Sequence, residues 1–537
     1  MNWIASKDTI IFDIEFNEEL DIELISKYSK LIFSDHRLNE KLFEYYMNDN
    51  FINLEYKQNK FNKCISLSDS MLTHLIFGHE FNQDVSALPP FLTHLTFGSE
   101  FNQDVFALPP LLTHLTFGTC FNCDVSVLPP TITHLIFGWF FNRDVSNLPS
   151  SITHLIFGNN FNQDVSRLPL FLTHLTFGDR FNQNVSTLPP FLTHLTFGYY
   201  FNGEVLELPQ GITHLTFGDS FNQNVSKLPK SIIHLTFGDR FNQDVSNLPP
   251  TLTHLTFGEK FNHDVYFLPP FLKHLTFGCN FNQNISKLPS SITHLTFGRN
   301  FNQNVSTLPN GITHLIFSYN FNKDVSVLPN GITHLTFGSD FNQDVSALPP
   351  TLTHLTFGFY FNKDVSNLPS SLTHLTFGSH FDQDISSLPS SITHLTFGYN
   401  FNQDVSRLSQ GITHLTLGYK FNKQIIFHPN IKYLKLDSNN KNIIDSLPNS
   451  IIELELGYSF NLRIDNLPTS IKKLVIYKNS HFEQDLNCLP DFVEELHLNC
   501  HYKKPILRIP SKLKKLVCGM DYPYTNNFVM CEVEIYH

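Results

Sequence analysis

"GITHLTFGSDFNQDVSALPP", residues 331–350, recurs with few changes along most of a chain of 537 residues. A histidine stands at position 74 and at every twentieth position up to 414, eighteen times without a gap, always before Leu and usually inside THLTFG. A fixed period of this length is the signature of stacked coils, and it overrides the expectation of several domains that length alone would give. Composition agrees: 54 Phe stand against 2 Trp and 5 Met, as repeated copying of one template produces.

Within the quoted copy, Ile332, Leu335 and Phe337 read as I-x-x-L-x-F, a short strand whose last alternating pair points inward. Phe341, Val345 and Leu348 continue the inward set around the coil. These residues can face a shared axis only if each coil stacks on the next, because a lone coil buries almost nothing. Gly338 is expected where the strand ends and the chain turns, and Pro349-Pro350 favours an extended, polyproline-like return. The fold expected is mainly β: one elongated solenoid of about 26 coils, some 125 Å along the strand face at ~4.8 Å per coil, with a parallel sheet on that face and extended, helix-poor return segments.

The repeats set the expected organisation. Residues 1–50 read as degenerate N-terminal repeats forming a cap, 51–70 as a worn repeat and 71–420 as regular twenty-residue repeats. Degenerate repeats follow over 421–499, where Leu434, Leu454, Leu474 and Leu496 keep the place of the strand leucine, and 500–537 form a C-terminal repeat, with Leu516, and cap. Upstream, TIIFDIEFN (9–17), KLIFSDHRLN (30–39) and INLEYKQNKFN (52–62) keep an apolar core followed by a Phe-Asn or Leu-Asn step, which starts the solenoid near residue 9.

A net charge of −12 argues against a general nucleic-acid or anionic-membrane binder. The N-terminus lacks a basic region followed by a long apolar run, and no run of about 18 apolar residues occurs anywhere, so secretion and membrane insertion are not expected. Eight Cys without framework spacing suit a reducing compartment, and an intracellular, cytoplasmic protein is expected. Asn184, Asn224, Asn284 and Asn304 head N-x-S sequons, but exchange of Asn for Asp within the repeat generates them, and they read as unglycosylated.

The LPxxLTHLxFGxxFNQxV pattern resembles the FNIP repeat, a relative of the leucine-rich repeat, and covers most of the chain. The resemblance implies a leucine-rich-repeat-like solenoid and an interaction role, often with an F-box before the repeats that recruits a ubiquitin ligase. Residues 1–50 show no Leu-Pro-rich helical pattern of that kind. The family's usual Pro after FNQ is here mostly Asp or Asn.

Column by column, most positions read as structure. The histidines, His94 and His114 among them, would form a ladder on the strand face, where one reading is a metal-binding or pH-sensing comb. Rings at that spacing repel when charged, so a neutral ladder packed between Thr columns that holds no metal is the expectation. Phe97 and Phe101 are expected in the core. Asn102, Asn122 and their equivalents, with Asp382 the one exchange, resemble an asparagine ladder that satisfies turn backbone groups. Two residues on, position 84 and its equivalents are acidic in thirteen of eighteen copies and otherwise Asn or Gln; Asp and Asn share acceptor ability but not charge, which points to a hydrogen-bond acceptor. Cys120-x-x-Cys123 is a lone pair without the second pair a zinc site needs. No HExxH, G-x-S-x-G or GxxxxGK[ST] occurs, and a Ser, His and Asp repeated eighteen times lack the single asymmetric pocket of a triad, so no catalytic residue and no cofactor is expected.

Uniformity breaks at the two residues after Gly. They read Ser-Asp in the quoted copy but include Trp139-Phe140, Tyr199-Tyr200 and Phe359-Tyr360, with Arg180 and Arg240 nearby. These side chains are typical of interface hot spots, where a free loop would favour Ser, Gly and Lys. The expected role is a non-enzymatic scaffold that binds other proteins through Trp139, Phe140, Arg180, Tyr199, Tyr200, Arg240, Phe359 and Tyr360. A substrate-recognition adapter for ubiquitination, or metal and ligand binding through the His ladder, are the alternatives.

Overall fold

The computed structural model describes residues 3–6, 8–13, 16–34, 59–63, 67, 70–528 and 530–536. They fall into two compact units, Met1–Gly278 and Cys279–His537. In the first unit each regular coil contributes one three-residue strand, from β4 (His74–Ile76) through β5 (His94–Thr96) to β14 (His274–Thr276). The second unit repeats this from β15 (His294–Thr296) to β21 (His414–Leu417), then runs through longer strands from β22 (Tyr433–Leu436) to β27 (Glu532–Tyr536). Within each unit successive strands from β4 onward pair in parallel and in strict register, with His194 opposite His214 and Leu195 opposite Leu215.

Alternation along the strand sorts side chains to two faces: His and the following Thr face out half-buried, while the Leu between them is buried. All six inward positions of the quoted coil, Ile332, Leu335, Phe337, Phe341, Val345 and Leu348, are buried. The return path contains turns and extended chain without helix in every regular coil. The α-helices among the described residues are two short turns, α1 (Ile22–Ile25) and α2 (Lys441–Ile444). The fold is therefore a leucine-rich-repeat-like β-solenoid with helix-poor returns.

Two phenylalanine columns occupy the middle of each unit. Phe97 and Phe101 of one coil stack with ring centroids 3.7 Å apart and 6° between planes, and each also stacks on its equivalent in the next coil, at 5.7 and 6.0 Å. Coils that carry such rings must approach closely and evenly, which explains the glycine ending seventeen of the eighteen regular strands, Ser318 being the exception. A Cβ on Gly218 would lie 2.0 Å from the carbonyl oxygen of Gly198, and one on Gly158 1.8 Å from that of Gly138. The backbone at these glycines is not in the left-handed region, so the requirement is close approach of neighbouring coils and not the positive φ of a tight turn.

The ends depart from the template. β1 (Trp3–Ser6) folds antiparallel onto β2 (Thr9–Phe12), which pairs in parallel with β3 (Lys30–Phe33). Phe61 stacks on Phe33 at 4.2 Å and on Phe81 at 6.2 Å. The Phe61-Asn62 step therefore completes the coil begun by β3, with residues 35–58 between. The Leu38-Asn39 step and the apolar core expected over 52–56 lie outside the described residues. Toward the C-terminus, Leu434, Leu454, Leu474, Leu496 and Leu516 are all buried, while the outer face exchanges His and Thr for charge. Lys473 there lies between Glu453 (3.5 Å) and Glu495 (3.8 Å), and Lys515 pairs with Glu534 at 2.7 Å. Opposite charges set register on these strands as like rings do on the regular ones.

Replacing Phe201, which is fully buried, by Ala should destabilise the chain by about 3–5 kcal/mol, because it opens a cavity in a column flanked by Phe181 and Phe221. Chemical denaturation measures this, and a loss below about 1 kcal/mol would place the ring outside the core.

Candidate interaction surface

Three sets of side chains face outward from each coil: the strand face, the polar columns beside it, and the rim where the chain leaves the strand. On the strand face the histidine rings stack from coil to coil with centroids 4.0–4.5 Å apart and planes within 6–14° of parallel. A preceding threonine orients the ring in all but two of the regular coils, His234 and His274, which follow Ile233 and Lys273. Thr93 Oγ1 lies 3.1 Å from the Thr73 carbonyl oxygen of the coil before and 2.9 Å from His94 Nδ1. A hydroxyl carries one proton; donated to the carbonyl, it leaves Oγ1 to accept from Nδ1–H. The in-plane lone pairs of parallel rings run side by side and do not converge on a point, which is the wrong geometry for chelation. Among the described residues no three His, Cys, Asp or Glu side chains gather closely enough to hold a metal ion.

Beside the strands, Asn82 Oδ1 accepts from the backbone N–H of Asn102 at 2.9 Å and from Gln103 Nε2 at 3.0 Å, and Asn102 Oδ1 does the same for the N–H of Asn122 at 2.8 Å. The next polar column closes a local turn. Asp124 accepts from the N–H and hydroxyl of Ser126 at 3.0 and 2.8 Å, and Asn184 accepts from the N–H of Ser186 at 2.8 Å. Asp and Asn serve this bond equally, which accounts for their exchange and for the sequon asparagines. Cys120 and Cys123 are free, and burial raises both thiols above their ordinary range, so neither is an activated thiolate.

The rim pairs project from a backbone that is itself bonded between coils. Arg180 N–H donates to the Asn159 carbonyl, Tyr200 to Asp179 and Arg240 to Asp219, each at 2.8 Å, and Tyr360 donates to Ser339 at 2.9 Å. Trp139, Phe140, Tyr199, Tyr200, Phe359 and Tyr360 are all exposed, between 38 and 55%. Tyr199 and Tyr200 meet edge to face at 4.7 Å, and Phe359 and Tyr360 at 4.9 Å. Arg180, Tyr200 and Arg240 occupy one column within four consecutive coils of the first unit, with Ser220 between, while Phe359 and Tyr360 belong to the second unit.

The structure adds surface that the rim pattern missed. Ile136 and Ile156, opposite each other on adjacent strands, replace the outer-face threonine and are 37 and 40% exposed, in the coils at and after Trp139-Phe140. At the far corner of the coil, Phe171 and Phe191 stack at 5.7 Å while more than half exposed. The signal available for both was departure from the template at an outward position.

Burial, and secondarily the neighbouring rings, hold six of the ladder imidazoles below their ordinary value of 6.5: His94, His154, His174 and His194 are lowered, and His114 and His394 lie at about 4. Between about pH 6.5 and 4 the unfolded chain therefore binds more protons than the folded one, and stability falls as pH drops through that window. The melting temperature should be lower at pH 5 than at pH 7, and replacing His154, His174 and His194 by Gln should reduce the difference; an equal or higher value at pH 5 would contradict the ladder's neutrality. Titration calorimetry with zinc should find no tight stoichiometric uptake. Tight uptake that disappears on changing His194, His214 and His234 to Gln would make the ladder a metal site.

The pattern described as the FNIP Repeat matches twelve stretches: 84–120, 105–140, 141–167, 164–200, 225–260, 261–299, 281–320, 324–360, 361–400, 384–409, 427–459 and 439–479. Among solved structures the chain is similar to CroV588, described as a novel circular leucine-rich-repeat protein, at 35% identity over 100% of this chain and 93% of that one, with a TM-score of 0.78. YopM from Yersinia enterocolitica is far more distant: 17% identity, 78% of this chain and 90% of that one, TM-score 0.37. So is a chain of the Toll–Spatzle complex of Drosophila, at 12% identity, 96 and 85% coverage and TM-score 0.47. No curated protein matches the chain. No helix among the described residues is long and apolar enough to cross a membrane. Twelve matches over most of its length and a solved relative matched along the whole chain place the protein in the FNIP repeat family, with a leucine-rich-repeat-like fold.

Proposed function

We propose that the chain is a non-enzymatic scaffold that binds other proteins through the rim residues of its regular coils. The observation that carries this reading is the contrast at the rim: a backbone bonded coil to coil holds side chains that differ from coil to coil and are bulky and exposed. An aromatic ring held on a fixed backbone loses little freedom when it is covered, which favours binding. Tyr199-Tyr200 with Arg180 and Arg240 forms the main patch, and Trp139-Phe140 with Ile136 and Ile156 forms a second, more apolar one in the same unit. Phe359 and Tyr360 supply a third.

Charge narrows the partner of the main patch. Arg180 and Arg240 are accompanied by Asp179, Asp219 and Asp239 in the adjoining rim column, so both signs alternate over these coils. A partner segment carrying both acidic and basic side chains beside an apolar one fits better than a purely acidic segment. The family supports an interaction role, and no observation favours ubiquitination or the His ladder over the rim.

Changing Tyr199 and Tyr200 to Ser should leave the melting temperature nearly unaltered, since exposed side chains contribute little to stability, and should remove at least one protein captured by the wild-type chain. Affinity capture followed by mass spectrometry checks this. If that variant and the Trp139→Ser, Phe140→Ser variant both retain every partner at wild-type strength, the rim is not the binding surface.

A further inference from the structure

Away from the rim, the turn at the return corner of two coils carries a reactive sequence. Three Asn-Gly steps occur in the chain: Asn202-Gly203, Asn310-Gly311 and Asn330-Gly331. The last two stand at the same place in consecutive coils of the second unit. Each lies in a turn closed by one bond, from Ile312 N–H to the Pro309 carbonyl and from Ile332 N–H to the Pro329 carbonyl, both at 3.3 Å. Asn310 and Gly311 are the two central residues of one turn, Asn330 and Gly331 of the other, so the glycine N–H groups take no part in the closing bond. A Cβ on Gly331 would lie 3.3 Å from the Asn310 carbonyl oxygen, which sets one turn directly against the next.

The fold does not require glycine at these two positions. Neither Gly311 nor Gly331 lies in the left-handed region, and the equivalent position holds Phe191, Ser231, Thr251 or Ser371 in other coils. Glycine there leaves the backbone nitrogen that follows each asparagine unshielded by a side chain. Asn310 and Asn330 are both exposed, and among the described residues no group hydrogen-bonds to either side-chain amide. Asn202, also exposed, is held instead. Its Oδ1 accepts from Asn222 N–H at 2.8 Å and its own N–H donates to Asn182 Oδ1 at 2.9 Å, which makes it a rung of the asparagine ladder. The Phe201 ring packs beside its glycine, 3.1 Å from where a Cβ on Gly203 would stand.

We infer that Asn310 and Asn330 are modification sites, at which the folded chain deamidates without an enzyme, and that the ladder protects Asn202. The reaction uses only the groups present and water. The Gly311 nitrogen, giving its proton to solvent, bonds to Cγ of Asn310; the Cγ–Nδ2 bond breaks, and Nδ2 leaves as ammonia after taking up a proton. The product is a five-membered succinimide. Water then adds to one of its two carbonyls and opens the ring to aspartate or isoaspartate, with no change of oxidation state. Asn330 and Gly331 react in the same way. For Asn202 the ring can form only if its amide swings away from Asn222 N–H, which strips a backbone donor of its acceptor. Reaction at both open sites puts two carboxylates one coil apart on a chain whose net charge is already −12, and like charges at that spacing repel. Isoaspartate also lengthens the main chain by one carbon, in a turn whose Asn330 carbonyl accepts from Thr351 Oγ1 of the following coil. The sites are independent of the protein-binding rim.

The test incubates the full folded chain at neutral and at mildly alkaline pH, follows each Asn-Gly peptide by digestion and mass spectrometry, and measures isoaspartate separately by enzymatic methylation. Asn310 and Asn330 should gain one dalton faster than Asn202 by roughly tenfold, the factor that breaking one hydrogen bond of about 1.4 kcal/mol imposes. The gain should be faster at the alkaline pH, because the attacking nitrogen must lose a proton. In an Asn310→Gln, Asn330→Gln variant most of the methylation signal should disappear, since glutamine must close a larger ring; Gln210 and Gln410 already stand before glycine at the same place, so the variant keeps the fold. In denaturant the three steps should react at similar rates, the ladder no longer holding Asn202. Equal rates at all three steps in the folded chain would overturn the assignment. So would the absence of isoaspartate at 310 and 330 under conditions in which the unfolded chain forms it.

Discussion

Stacking of two phenylalanine columns is the constraint on which the rest of each unit depends. Within a coil the rings of Phe97 and Phe101 lie 3.7 Å apart, and neither can leave water unless the next coil covers it. Burial of such rings is the largest apolar gain available to a coil with so little other core, and it requires neighbours to be alike. Close and even approach follows, and with it the glycine that ends all but one of the regular strands, where a Cβ would meet the preceding coil's carbonyl oxygen. A twenty-residue period is thus a packing condition as much as a genetic one.

Polar groups obey the same rule of like on like. Extended returns without helix leave backbone N–H groups that no local partner serves, and the coil before supplies the acceptor: Asn82 for Asn102, Asn102 for Asn122. Histidine stacks on histidine because the Phe columns fix the spacing, and burial then lowers the pKa of rings such as His114 and His394. Where one Phe column gives way to Leu436, Leu456 and Ile476, the outer face changes to paired Lys and Glu, another way to keep adjacent like-positioned residues from repelling.

Much of this was legible in the sequence, because each copy states the same local rules eighteen times. The strand, the six inward residues and the helix-free return follow from one coil and its period. What was not legible depends on contacts between residues about twenty apart or more. Phe61 reads as part of its own worn repeat, yet its ring belongs with Phe33, and only packing reveals the coil they share. Gly338 reads as a turn residue, whereas the Ser318 carbonyl of the previous coil is what excludes its Cβ. The rim reads equally as a tolerant loop or a recognition surface, since the bond from Tyr200 N–H to the Asp179 carbonyl leaves no trace in residue type.

The central claim is that within each unit a uniform backbone, bonded from coil to coil, presents variable side chains at its rim. Hydrogen exchange followed residue by residue tests it most directly. The rim amides of Tyr200, Arg240 and Tyr360 should exchange as slowly as the strand-end amides of Phe197, Phe237 and Phe357, because both sets donate to neighbouring coils at 2.8–2.9 Å. Exchange of the rim amides at the rate of an unstructured peptide, while the phenylalanine amides stay protected, would make the rim a loose loop and contradict the account.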